Sequence, residues 1–570
     1  AKKKFGEIRC CSKEFLEYAK NDAMVIINEH YQPKQVRSTP ILKETPVAGR
    51  PEVCGRGVDG KAYVYEAHNI LYYVCLDNDG IFNGSDEYAM KAGGFERQGS
   101  VEYFKCHIPR LNVPLMATID YFGMRVVAIS KSPIQHVLFS DEGDVKKVYE
   151  DQLHGVTANG ESFVNRSKSL LNILQQTALK LNIAPHTCKG RKDNVAPPMT
   201  YCSSEIKIFK GTDGDFYMQD FWRSFPSECP EETPHFQPEP RGQSVYWRQL
   251  RPEFCRRYKN ALSPDACCAI TYDTRDGIGH FEEVKRATKY LVNECIPKYA
   301  GILCKREYTQ SLSDGLGIDL TTELHDQGIG MRHLGLLRGL MWRTLPGDYS
   351  IFFNESCIRT KHDLREEVRN GTEILLGDTF YTIVESDKRK ITATKLPIEI
   401  LYTGLSERGL QARAGLLKDE VECEDVRTVL LAEMVARTLK SLLRLYLRDY
   451  LKSEKGASSD FMRTLYCKYF NIATGASEIS NSFLTGPVYE ALRSKFGSMA
   501  LRPSERVNMQ KILQPCIIYM IRRLLIMLGA ELSAQCVGDF YEHPTGFSFV
   551  SMDFMSISPI VQHNLPALSY

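Results

Sequence analysis

The chain has 570 residues, of which 43% are hydrophobic, 10% aromatic and 25% charged. This is the composition of an ordinary folded protein and excludes disordered, collagenous and coiled-coil rod classes. Lys and Arg number 72 against 70 Asp and Glu, a net charge of +2, so no whole-molecule field draws the chain toward nucleic acid or membrane, and any such binding must come from a local patch.

The first residues, Ala1 and Lys2 to Lys4, have no apolar segment behind them, so no signal or transit peptide is expected; the missing Met suggests a processed or partial chain. Residues 14–30 carry apolar side chains at helical spacing, and Pro33, Pro40, Pro46 and Pro51 then predict an extended connection. YVYEA, ILYYVCL and PLMATIDYFGMRVVAIS (114–130) read as strands, the last as a hairpin turning at Gly123. A helix is expected over 169–182. EIKIFK and DFYMQD, joined by GTDG, read as a second hairpin in which Gly211, Asp213 and Gly214 form a structural turn with positive φ at Gly214. Five prolines between 226 and 240 predict a domain boundary, giving units of 1–242 and 243–570. Beyond it, near-3.6 periodicity at 281–300, 427–451, 461–472, 487–496 and 510–529 predicts a largely helical region with one hairpin at 373–386. The apolar run Ile512 to Leu528 contains Pro515, Arg522 and Arg523, so a buried core helix is expected and membrane insertion is not. The fold class is therefore α+β, a mixed α/β domain followed by a mainly helical region.

Signals for chemistry are sparse. Eighteen cysteines include no C-x-x-C, and the pairs Cys10/Cys11 and Cys267/Cys268 lack zinc-ligand spacing, so no metal is expected. Cys75 and Cys516 lie in apolar runs and read as reduced, buried thiols of a cytosolic protein. His325 and His333 are expected to be structural, because Gly328 and Gly330 intervene. Phosphate loops, nucleophile elbows and dinucleotide fingerprints are absent from the sequence. Asp220 and Phe221 echo the metal-binding Asp-Phe-Gly of kinases, but Trp222 replaces the glycine and no catalytic loop accompanies them. No catalytic residue and no cofactor are assigned. The best electrostatic feature is Arg437, Lys440, Arg444 and Arg448, spaced to share one helix face and able to grip RNA phosphates or an acidic partner. The plainer reading is a solvated helix face, with Glu433 one turn before Arg437 to pair with it.

LNVPLMATIDYFGMRVVAISKSPI (111–134), GTDGDFYMQDFWRSFP (211–226) and LRPEFCRRYKNALSPDA (250–266) resemble, in order, the Clu domain of the clustered mitochondria protein family. LTTELHDQGIGMRHLG (320–335), LLAEMVARTLKSLLRLYLRDYL (430–451) and FVSMDFMSISPIVQH (549–563) look like its central helical region. The resemblance implies a cytoplasmic, non-enzymatic protein that binds mRNA, associates with ribosomes or the translation initiation machinery, and serves mitochondrial biogenesis and distribution. The alternative is a structural docking subunit, with protein partners in a large cytoskeletal or ciliary assembly.

Overall fold

The computed structural model describes residues 2–565 except 46–61, 78–84, 135–151, 157–161, 191–196, 237–245, 269–270, 272–275, 306–319, 348–372, 377–378, 387–390, 397–406 and 502. Helix α1 (Lys2–Glu29) buries Phe15, Ala19, Ala23, Ile26 and Ile27, one stripe at steps of three and four, and stops before Pro33. After β1 (Ile41–Thr45), strands β2 (Ala62–Ala67) and β3 (Ile70–Val74) form a hairpin through His68 and Asn69, both at positive φ. Two consecutive positive φ values give the turn whose twist matches paired strands. The same device recurs at Phe122 and Gly123 between β5 (Met116–Tyr121) and β6 (Met124–Ser130), so the hairpin lies where the sequence places it. Between the two hairpins runs α2 (Asp86–Lys105), and β4 (Leu111–Asn112) precedes β5.

The first sheet has the order β1-β2-β3-β6-β5-β18, antiparallel throughout, and its last strand β18 (Ile560–His563) comes from the far end of the chain. Consecutive β5 residues Met116, Ala117, Thr118 and Ile119 are all buried, so both faces of the sheet are covered. A second sheet, in the order β4-β12-β11-β7-β8, comprises β7 (Gln152–Val156), β8 (Phe163–Asn165), β11 (Lys207–Lys210) and β12 (Phe216–Gln219) together with β4. A short ribbon pairs β9 (His186–Thr187) with β10 (Met199–Thr200). Helix α3 (Lys168–Leu181) starts at Ser167, whose Oγ accepts from the Leu170 N–H. It ends at Asn182 in the left-handed region, and the Asn182 amide donates to the carbonyls of Cys255 and Tyr258.

In the GTDG turn Gly214 has φ +88°. Asp213 Oδ1 accepts from the Asp215 N–H and Oδ2 from the Tyr217 hydroxyl. A Cβ on Gly211 would meet the Tyr217 ring at 2.4 Å, whereas one on Gly214 would meet nothing within 4 Å. Gly214→Val is therefore expected to cost only backbone strain, about 1–3 kcal/mol, visible as a lower urea midpoint; an unchanged midpoint contradicts it.

The second half begins with α4 (Pro252–Arg257), followed by α5 (Gly277–Tyr290), a π turn at Leu291–Cys295, and α6 (Ile296–Lys305). Then come α7 (Leu320–Asp326), α8 (Leu334–Gly347) and the 48-residue α9 (Glu407–Glu454). The hairpin expected at 373–386 is present as β13 (Glu373–Leu376) and β14 (Thr379–Ser386), and β15 (Ile391–Leu396) adds a third strand. Helices α10 (Ser459–Thr474), α11 (Tyr489–Phe496), α12 (Ile517–Leu528) and α13 (Ala534–Glu542) complete it, with β16 (Ala530–Leu532) pairing β17 (Phe554–Ile557). Pro515 cuts the apolar run expected as one helix, and α12 starts only at Ile517. No helix among the described residues is long and apolar enough to cross a membrane. The two largest sheets are built mainly from the N-terminal part and helices dominate the second, an α+β architecture.

The proposed boundary at 226–242 lies partly outside the described residues. On either side of it the chain packs closely: Ser227 bridges Gln249, and the Cys229 N–H donates to Thr288 Oγ1. One apolar core takes residues from both parts, among them Phe15, Ile119, Leu439 and Leu524.

Candidate functional site

The basic stripe lies where α9 meets the first sheet. Its apolar neighbours Leu439, Leu443 and Leu447 are buried, which fixes the rotation of the helix and turns the basic residues toward the sheet and α2. A Cβ on Gly123 would lie 2.4 Å from the Arg444 carbonyl oxygen, so the hairpin touches the helix backbone and only glycine fits there.

Arg437 donates to Glu433 Oε1 at 2.7 Å and to Thr321 Oγ1 at 2.9 Å. Glu433 is fully buried and also accepts from Tyr519 and Arg523. Burial pushes its carboxyl up, but the Arg437 and Arg523 guanidiniums prevail and hold it at about 2. Arg444 lies 3.5 Å from Asp120, which also takes a two-pronged contact from Arg125. Arg448 donates to the Gly123 carbonyl at 2.8 Å and lies 3.2 Å from Asp86. Arg444 and Arg448 are 6% and 3% exposed. The expected solvated face is therefore corrected: this side of α9 is internal, because Arg444 and Arg448 have carboxylate and carbonyl partners in the N-terminal part and Arg437 pairs with Glu433 and Thr321 within the helical part.

Lys440 differs from the other three. It is half-buried and, among the described residues, has no hydrogen bond or ion pair. Near it lies Lys495, which donates to Ser441 Oγ and the Arg437 carbonyl, and across Glu87 lies Lys91, stacked over the rings of Tyr88 and Trp247. Glu87 faces all three lysines and Arg444; its Oε1 lies 3.8 Å from Lys495, and its Oε2 is buried without a hydrogen-bond partner. Burial, with repulsion from Lys495 on Lys91 and from Arg444 and Lys495 on Lys440, lowers these two lysines to about 7, and burial lowers Lys495 to about 8, against the pull of Glu87. The cluster holds more positive charge than its carboxylates, Glu87 and Asp120, compensate. Sequence reasoning reached Lys440 but missed Lys91 and Lys495, which lie on other helices.

Other candidates resolve into structure. Asp220 has φ 63° and pairs with Lys207, Phe221 is fully buried, and Trp222 packs edge-on against Tyr246. His333 Nε2 contacts buried Glu228 at 2.8 Å. Cys202 Sγ lies 3.5 Å from His154 Nε2, a nucleophile and base in form, yet both are fully buried. Burial raises the thiol and lowers the imidazole to about 4, the reverse of what an activated thiolate needs.

A family model described as clustered mitochondria matches residues 2–230. The N-terminal part of the chain thus resembles the clustered mitochondria family. A second model, translation initiation factor eIF3 subunit 135, matches residues 313–499. A clustered mitochondria protein homolog of Caenorhabditis elegans is 31% identical over 176 residues, 30% of this chain and 13% of that protein. A homolog of the same description from Ajellomyces capsulatus is 23% identical over 362 residues, covering 50% and 27%. Protein clueless of Drosophila virilis is 28% identical over 176 residues, covering 30% and 11%. The matched segments thus span less than a third of these relatives. No solved structure matches the chain. The Clu match contains the 111–134 and 211–226 segments, and the subunit match contains 320–335 and the stripe itself.

Proposed function

We propose that the chain is a non-enzymatic, cytoplasmic binding body of the translation apparatus that engages mRNA or the ribosome and its initiation machinery in mitochondrial biogenesis and distribution. What supports this reading most is that a Clu match and an initiation-factor-subunit match lie in one chain and share one packed core. Arg444 and Arg448 hold the two parts together, while Arg437 is paired within the helical part. The contact with an acidic or phosphate-bearing partner falls to Lys440, with Lys91 and Lys495 beside it.

Binding of purified chain to ribosomal subunits and to mRNA, titrated against salt, tests the reading. Lys91→Gln/Lys440→Gln is expected to weaken binding about tenfold or more and to flatten the salt slope; an unchanged slope removes these lysines from the contact. An anion at the cluster restores the lysines to their charged form, so binding takes up protons and weakens as pH rises through about 7 to 8. Without ligand the sign for stability is opposite. The unfolded chain, with ordinary lysine pKa values near 10.5, holds more protons above pH 7 than the folded one, so the three lysines make stability rise with pH there. Calorimetry in buffers of different ionisation enthalpy measures the proton uptake; zero uptake at pH 7.5 contradicts the cluster as the anion site.

A further inference from the structure

We propose that His186, Cys188 and Asp265 form a buried structural zinc site that ties the Clu domain to the segment following it. One ligand atom from each of the three lies within 4.8 Å of the others, and all three residues are 0–1% exposed. His186 and Cys188 are two positions apart along an extended segment beginning at β9, so their side chains share a face. Asp265 reaches them from a loop that lies beyond the Clu match.

The hydrogen bonds of His186 carry the argument. Its Nδ1 lies 3.0 Å from the Ala184 carbonyl, which only accepts, so Nδ1 carries the proton. In a neutral imidazole Nε2 is then a bare lone pair, yet it faces Asp265 Oδ2 at 2.9 Å. Two acceptors at that distance require a proton on one of them or a metal ion shared by both. The surroundings favour the metal. A backbone carbonyl on the far ring nitrogen is the usual way a zinc-bound histidine is oriented. Cys188 supplies a sulfur in the same cluster with no hydrogen-bond partner among the described residues, and a thiolate, an imidazole and a carboxylate are the donors zinc takes in tetrahedral sites. Charge also closes: Zn²⁺ against one thiolate and one carboxylate is neutral, which a buried site needs. Arg223 lies 3.4 Å from Asp265 Oδ1 and has its own partner in Glu205 at 2.8 Å. The Ser204 N–H donates to Asp265 Oδ2 at 2.6 Å and fixes that carboxylate. Cys268 packs against the cluster containing Cys188 but is not among the three grouped ligands, so the fourth position is left to a neutral ligand such as water.

The test uses the full chain purified under reducing conditions. Elemental analysis is expected to find about one zinc per chain, and cobalt exchanged into the stripped protein is expected to give thiolate charge-transfer absorption with the visible bands of a tetrahedral site. Cys188→Ser should abolish the charge-transfer band, while Cys255→Ser, a buried thiol elsewhere, should leave it. Parent protein that carries no zinc and gives no cobalt band overturns the site without any variant being needed. Cobalt absorption that persists in folded Cys188→Ser overturns it equally.

Discussion

Arg444→Glu is expected to destabilise the chain by about 3–5 kcal/mol, seen as a much lower urea midpoint. Arg444 is buried where the β5–β6 hairpin meets α9, 3.5 Å from Asp120. Reversal leaves Asp120 with Arg125 alone and buries a second carboxylate beside it, and two carboxylates so placed cannot both stay ionised cheaply. Lys440, one turn away on the same face, supplies the contrast. Its surroundings already disfavour the charged form, so Lys440→Gln is expected to leave the midpoint unchanged or slightly raised. Equal, small effects from both substitutions would mean that the stripe does not brace the two parts, and any RNA-binding loss in Arg444→Glu could then be read as a direct contact.

The second large effect is expected at Glu505. Its carboxylate takes both arms of Arg338, at 2.9 and 2.6 Å, and Arg338 is 1% exposed. Arg338 also donates to the carbonyls of Arg427 and Ala500, tying α8 to α9 and to the chain after α11. Glu505→Ala leaves a guanidinium in the core without its carboxylate and is expected to cost about 3–5 kcal/mol. Replacing both residues with Met is expected to recover most of that loss, because the two desolvation penalties vanish together. Denaturation of the single and double variants decides it; a double variant as damaged as the single one contradicts this account of the pair.

How far the sequence could be read divides along the range of the interactions. The hairpin at Gly123, the α3 span, the Glu433–Arg437 pair and the GTDG turn rest on contacts within a few residues, and local pattern finds them. Helix α2 escaped because Gly93, Gly94 and Gly99 depress its helix propensity. Gly99 is there for a tertiary reason: a Cβ would meet the Phe221 carbonyl oxygen at 2.5 Å. Strand β18 escaped because its partner β5 lies at the other end of the chain. The stripe was legible as a face, but spacing states which residues point together and says nothing of what they meet. The cluster around Glu87 takes one lysine each from α2, α9 and α11, and the His186 site joins H-x-C to an aspartate far along the chain. Neither leaves a local motif.

Crosslinked capture of the chain from its native cells, compared with the Lys91→Gln/Lys440→Gln form, measures the functional claim most directly. The account predicts that the parent brings down initiation-factor and ribosomal proteins with messages for mitochondrial proteins, and that the double variant, folded as well as the parent, loses them. Capture of cytoskeletal or ciliary proteins with no RNA, equal for both forms, would contradict it.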